Sequence, residues 1–80
     1  MRNLNKFKTV QEAFRWGYSE LKKATISEAD VDVRRLIEFV CKQSYISSVA
    51  NDKKMSKSEQ NKLIRLIELR KKRVPLGYII

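Results

Sequence analysis

Two short stretches, TVQE at residues 9–12 and SKSE at residues 56–59, carry the signature of a helix N-terminus. In each, a hydroxyl residue precedes a glutamate by three positions, so that each side chain can bond the other's backbone N–H in a capping box. Apolar residues then recur every three or four positions, as on the buried face of a helix. No stretch alternates polar and apolar residues well enough for a central strand. The sequence therefore predicts an all-α fold, a small bundle of four to five helices with an extended C-terminal linker.

The first helix has one apolar side, formed by Val10, Ala13, Phe14, Gly17, Tyr18 and Leu21. A glycine within that side predicts the close approach of a second helix rather than a break. Trp16 lies off this side and is expected to cover a neighbouring helix.

Two further helices are predicted between the capping boxes. The second starts at Ser27 as its N-cap and ends near Lys42, because residues 29–40 carry apolar side chains at helical spacing. The third is shorter, with Ser44 as its N-cap, and its predicted inward-facing residues are Tyr45, Ile46 and Val49.

Two charged residues fall inside the apolar arcs of their helices. At 100° per residue, Arg70 lies about 20° from Leu63, and Asp32 lies about 60° from Ala29. An unpaired buried charge is very unfavourable. The helical geometry therefore predicts an Asp32–Arg70 ion pair between the second and last helices.

Composition excludes several kinds of site. The 80 residues suit one small domain, and they contain no histidine and one cysteine, so an ordinary zinc site and a histidine base are absent. Both glycines are isolated, which excludes a glycine-rich phosphate or dinucleotide loop. Cys41 is expected to be a small core residue. We therefore expect no catalytic, cofactor-binding or metal-binding residues here, and a cytoplasmic protein without a membrane span or secretory signal.

Positive charge is concentrated in the second half of the chain. Residues 1–40 carry eight Lys or Arg against six Asp or Glu, whereas residues 41–80 carry ten against three. Such a basic half suits nucleic acid, an acidic protein surface or a ribosomal neighbourhood, and it is equally compatible with a solvated helix face.

The end of the chain, LIRLIELRKKRVPLGYII, resembles the segment that closes the N-terminal domain of the HemK/PrmC family of release-factor glutamine methyltransferases. The family pattern is a basic run with an arginine, then a proline, a small residue, tyrosine and isoleucine. The matching residues are Arg70, Pro75, Gly77, Tyr78 and Ile79. Upstream, VQEAFRWGYSELKKATI and DVRRLIEFV are similar to the family's first two helices, although Thr25 stands where a glycine is common.

The resemblance implies a division of the chain and a role for it. Residues 1–73 would be a helical substrate-recognition domain, and residues 74–80 would start a linker. This linker would continue as a strand into a catalytic domain that this sequence lacks. That domain would bind S-adenosylmethionine and carry an Asn-Pro-Pro-Tyr motif. The fragment itself would be no enzyme. It would act as a monomer that holds a release factor so that the glutamine of the Gly-Gly-Gln loop is methylated.

If charge carries part of that contact, the expected contributors are Lys53, Lys54, Lys57, Lys71, Lys72 and Arg73. Two other hypotheses about function remain open. One is a stand-alone basic helical module that binds nucleic acid, and the other is a purely structural domain.

Overall fold

The structure, a computed structural model, describes residues 7–80. Within this range the chain forms five helices and no strand, which confirms the predicted all-α bundle. In chain order the helices are α1 (Val10–Lys23), α2 (Ala29–Cys41), α3 (Tyr45–Ala50), α4 (Lys57–Lys71) and α5 (Leu76–Ile79).

Both predicted capping boxes are present. Thr9 Oγ1 accepts a hydrogen bond from the Glu12 N–H at 3.2 Å, and Glu12 Oε1 accepts from the Thr9 N–H at 3.3 Å. The backbone N–H groups of Lys8 and Thr9 that bond this carboxylate lower the pKa of Glu12. At α4, the same reciprocal bonds join Ser56 and Glu59 at 3.1 and 2.9 Å. These bonds satisfy N–H groups that a helix start leaves without intrahelical partners.

The two capping segments are also tied to each other. The Met55 N–H donates to the Lys8 carbonyl at 2.7 Å, and the Val10 N–H donates to the Lys53 carbonyl at 3.2 Å. Met55 itself is buried and directly precedes the N-cap Ser56. The N-terminal ends of α1 and α4 therefore lie side by side.

The predicted start of the second helix is wrong. α2 begins at Ala29, and its N-cap is Glu28, whose side chain makes no capping bond. The chain first turns through Thr25, which has a φ of 59°, and then buries Ile26. Helical geometry resumes only after this turn, so Ser27 lies too early to cap the helix.

The predicted inward face of α3 is correct at two positions and wrong at one. Ser44 caps the helix, and Tyr45 and Val49 are partly buried against the core. Ile46, however, is 81% exposed, and Ser48 is fully buried instead. Tyr45, Ser48 and Val49 are three and four residues apart and share one face, and Ile46 lies about 100° from Tyr45.

The strand expected for the last residues is absent. Pro75 precedes a single helical turn, Leu76–Ile79, in which the Tyr78 N–H donates to the Pro75 carbonyl at 2.9 Å. A helical turn satisfies backbone groups locally, which a strand without a neighbouring strand cannot do. It also places Leu76 and Ile79 against the core, while Tyr78 is 86% exposed and Gly77 is exposed.

The core lies between α1, α2 and α4. Its largest fully buried side chains are Val10, Leu21, Val33, Leu36, Ile37, Leu63 and Ile67. Trp16 packs at the edge of this core against Phe7, with the two ring centroids 5.2 Å apart.

Gly17 is the point at which α1 approaches both other core helices. A Cβ at this position would lie 3.1 Å from Val33 on α2 and 3.3 Å from Ile67 on α4. The close helix contact that the sequence predicted is therefore confirmed. Only a residue without a side chain permits this spacing without displacing its neighbours.

An ion pair joins α2 to α4. Arg70 Nε donates to Asp32 Oδ2 at 2.9 Å, and the Asp32 side chain is only 8% exposed. Arg70 Nη1 also donates to the Val74 carbonyl at 3.1 Å. The pair derived from helical geometry is thus present, and it extends to the backbone that follows α4.

We expect Gly17→Val to lower the free energy of unfolding by about 2 to 3 kcal/mol, because its branched side chain overpacks the contact with Val33 and Ile67. Gly17→Ala should have a much smaller effect, since its better helix propensity opposes a milder clash. Urea denaturation followed by circular dichroism measures both. Equal stabilities for the two variants would contradict this packing.

Asp32→Asn is expected to lower the free energy of unfolding by about 3 kcal/mol, because it leaves the Arg70 guanidinium largely unpaired. The loss from Asp32→Asn combined with Arg70→Ala should be smaller than the sum of the two single losses by at least about 1 kcal/mol. Chemical denaturation of the four proteins in this double-mutant cycle provides the test. Additive losses would mean that the pair does not couple the helices.

Candidate partner-binding surfaces

The six cations expected to contact a partner lie at opposite ends of α4. Lys53, Lys54 and Lys57 lie at its N-terminal end, and Lys71, Lys72 and Arg73 lie at its C-terminal end. A helix of 15 residues is about 21 Å long between its first and last Cα atoms. The structure therefore divides the set into two groups rather than forming one patch.

Intramolecular contacts engage one lysine of the first group. Lys53 Nζ lies 3.4 Å from Glu59 Oε1, next to the α4 capping box. Lys54 and Lys57 are exposed, and their side chains make no ion pair with any described residue. Two cations at this end are therefore available to a partner.

The second group is more strongly engaged. Lys71 Nζ lies 2.8 Å from Glu20 Oε1 on α1 and 3.5 Å from Glu68 Oε2. The hydrogen bond to Glu20 is the main cause that raises the pKa of Lys71. Only Lys72 in this group is exposed with neither an ion pair nor a side-chain hydrogen bond to a described residue.

Arg73 closes the turn that follows α1. Its Nη2 donates to the Ala24 carbonyl at 2.9 Å and to Thr25 Oγ1 at 2.7 Å. Arg73 and Thr25 both have positive φ angles, 68° and 59°. That conformation favours glycine and disfavours a β-branched residue, so these bonds help to hold an otherwise unfavourable turn. The main role of Arg73 is therefore to stabilise this turn.

The structure adds surface residues that sequence reasoning missed. Lys22 and Lys23 end α1 beside the turn that Arg73 contacts, so they extend the basic surface around Lys72. Their assignment to the end of α1 was visible in the sequence. Their proximity to the end of α4 was not, because it depends on a contact between residues 48 and 49 positions apart.

A second surface missed by sequence reasoning is aromatic. It consists of Phe14 and Tyr18 on α1 and Tyr45 and Ile46 on α3, and we call it the aromatic surface. Phe14 contacts both tyrosine rings, at centroid distances of 5.8 Å to Tyr18 and 5.6 Å to Tyr45. Tyr18 and Ile46 are exposed. The sequence pattern predicted all four residues on the inward faces of their helices.

An open groove of about 710 Å³ runs along α1. It is lined by Phe7, Lys8, Glu12, Arg15, Trp16, Ser19, Glu20 and Lys23. Its acids bond elsewhere, Glu12 in the α1 cap and Glu20 to Lys71. Neither carboxylate is therefore poised as a base for a substrate in the groove.

The described residues form neither an activated thiol nor a metal site. Cys41 is half-buried, and burial raises the pKa of its thiol, which the nearby Glu59 carboxylate raises further. A thiol with a raised pKa is a poor nucleophile at neutral pH. Across residues 7–80 no three potential metal ligands cluster.

The residues present do not fit an S-adenosylmethionine site of the glycine-rich kind. Gly17 is packed inside the helical core, and Gly77 lies in the single turn of α5. Neither glycine brings a backbone loop toward a ligand.

Comparison with known proteins gives the family. Residues 12–80 match the family described as the PrmC N-terminal domain. The chain belongs to this family. The matched region of this PrmC N-terminal domain includes both partners of the Asp32–Arg70 pair and the Pro75 to Ile79 segment.

One relative has a curated name. This chain is 35% identical over 65 residues to "Release factor glutamine methyltransferase" of Clostridium botulinum (strain Hall). The aligned part is 80% of this chain but only 23% of that relative's length. No solved structure matches the domain significantly. Among the helices of residues 7–80, none has the length and apolar character needed to cross a membrane.

Arg73 and Lys72 are neighbours with different roles, which substitution separates. Arg73→Ala removes two hydrogen bonds to the turn after α1, and we expect it to lower the free energy of unfolding by about 1 kcal/mol. Lys72→Ala removes an exposed side chain and should change it by less than about 0.5 kcal/mol. Urea denaturation checks both. Equal losses would contradict the structural role of Arg73.

Proposed function

We propose that this domain is the release-factor-recognition part of a protein-(glutamine-N5) methyltransferase that acts on the Gly-Gly-Gln glutamine of peptide-chain release factors. The observation that carries the proposal is the family match over residues 12–80. The curated name of the relative, release factor glutamine methyltransferase, supports it.

The chemistry of the domain fits binding rather than catalysis. Its acids serve mainly as caps and ion-pair partners, and its one thiol has a raised pKa. On this proposal the methyl donor, S-adenosylmethionine, and the catalytic residues belong to another domain of a cytoplasmic enzyme. This domain contributes affinity and orientation, which can lower a reaction barrier substantially without any reacting group.

The exposed charges indicate where an acidic partner would contact the domain. The chain carries a net charge of +9, and Lys54, Lys57 and Lys72 are exposed cations at both ends of α4. Exposed charges of one sign increase the rate of encounter with an oppositely charged surface and weaken in effect as salt rises. We propose that these three lysines, from the six expected, contact an acidic region of the release factor.

The test is titration of a fluorescently labelled release factor from the same organism with the purified domain. The triple variant Lys54→Glu, Lys57→Glu, Lys72→Glu is expected to weaken binding about tenfold at low salt and to flatten its salt dependence. The control variant Arg15→Glu, Arg35→Glu, Arg65→Glu changes net charge equally at other exposed positions.

Equal weakening by both triple variants would mean that net charge, and not these lysines, controls the encounter. No binding by the unchanged domain would contradict the proposed function.

A nucleic-acid-binding module is the second candidate, and the same exposed lysines favour it. Single-stranded RNA and duplex DNA probes decide between the two. Submicromolar binding near physiological salt that weakens steeply as salt rises would favour nucleic acid. Weak binding without a sequence preference would not.

A further inference from the structure

The aromatic surface leaves two of its four side chains uncovered. Ile46 is 81% exposed and Tyr18 is 38% exposed, although both belong to helices that pack on the core. Phe14 joins Tyr18 to Tyr45, since its ring stacks on Tyr18 at an interplanar angle of 14° and tilts by 51° against Tyr45. Ile46 is the residue next to Tyr45 in α3. The result is a rigid apolar platform at the junction of α1 and α3.

Tyr45 is the partly buried tyrosine of the platform. Burial raises the pKa of its hydroxyl, and the positive charge of nearby Arg34 offsets part of that effect. The Tyr45 N–H donates to Glu38 Oε2 at 2.7 Å, which fixes the start of α3 against α2. The ring is therefore held in place before any partner arrives, and preorganised aromatic side chains lose little entropy on binding.

Cations border the platform on two sides. Lys22 Nζ lies 5.9 Å from the centroid of the Tyr18 ring, and Arg34 lies on the adjoining face of α2. Among residues 7–80, the one ion pair of Arg34 is a long, exposed contact with Asp30, at 3.7 Å. Exposed pairs of this kind are weak, so the guanidinium can turn to a carboxylate on a partner. An apolar centre with a basic border is complementary to an acidic segment that carries an apolar side chain.

The platform lies away from α5, and its ring contacts favour a protein partner over nucleic acid. Arg70 holds Val74 beside the N-terminal half of α2, whereas α3 follows the C-terminal end of α2. The α2 helix has 13 residues and is about 18 Å long, so α5 and the platform lie toward opposite ends. Phe14 and Lys22 already engage the Tyr18 ring that a nucleic-acid base would need for stacking.

We infer that the aromatic surface is the apolar anchor site for the release factor, and that it takes an acidic segment whose apolar side chain packs between Tyr18 and Ile46. The inference rests on the proposed function, because that function supplies the partner. A few well-packed aromatic and arginine contacts dominate the affinity of most protein interfaces. The platform provides the apolar centre of the interface, and the exposed lysines increase the rate of encounter with the partner.

The test is calorimetric titration of the purified release factor with domain variants. Ile46→Ser and Tyr18→Ser should each weaken binding at least about tenfold, as expected at the centre of an interface. Tyr78→Ser is the matched control, because Tyr78 is 86% exposed and lies on α5. It should change the affinity less than about twofold. Unfolding midpoints of Ile46→Ser and Tyr78→Ser should equal that of the unchanged domain, which excludes misfolding.

The outcomes separate the two proposals. Binding by the unchanged domain that Ile46→Ser does not alter would overturn the anchor site and leave the proposed function standing. No binding by the unchanged domain would overturn both. Sedimentation equilibrium adds a third arm, since a dimer that Ile46→Ser dissociates would assign the platform to a second copy of the chain and overturn the inference.

Discussion

Arg70 is the side chain on which the arrangement of this domain most depends. Its guanidinium bonds the buried Asp32 carboxylate on α2 and the Val74 carbonyl after α4. Charged groups removed from water gain little net stability from pairing, but a lone one is strongly unfavourable, so each partner restricts where the other can lie. The pair therefore fixes the register of α2 against α4 more than it adds to stability. Through Val74 it also sets the direction in which the chain continues toward Ile80.

The basic run after α4 illustrates how residues of one charge divide between structure and solvent. Arg70 and Arg73 make directed hydrogen bonds, for which a guanidinium has several donors in a fixed plane. Lys71 contacts Glu20 across the bundle, and Lys72 alone projects into solvent without a partner among residues 7–80. Net charge therefore overstates the charge available to a partner. The available cations are spread over both ends of α4, a distribution better suited to steering an acidic protein than to following one phosphate backbone.

In the function we propose, recognition and catalysis are separate tasks, and this domain performs the first. Close packing at Gly17 and two capping boxes make the three long helices a rigid support. On this support α3 is short and presents Ile46 outward next to Tyr45, whose ring contacts Phe14, which in turn stacks on Tyr18. A rigid support with an exposed apolar centre limits the entropy lost when a protein partner is ordered on it. Such binding energy can be used to hold a distant reacting group in place.

The sequence by itself determined the features that depend on neighbours a few residues apart. Both capping boxes, the helical class, the close approach at Gly17 and the Asp32–Arg70 pair follow from spacings within a helix turn or from the unfavourable burial of charge. Only the tertiary structure decided which predicted helix faces are covered. Ile46 remains exposed because α3, with six residues, turns Tyr45, Ser48 and Val49 inward. Tyr18 remains exposed because it lies at the edge of the apolar side of α1. Likewise, the role of Arg73 depends on Thr25, 48 residues earlier, and no local pattern encodes that contact. Helix formation is governed by short-range geometry, whereas surface availability depends on which distant elements pack together.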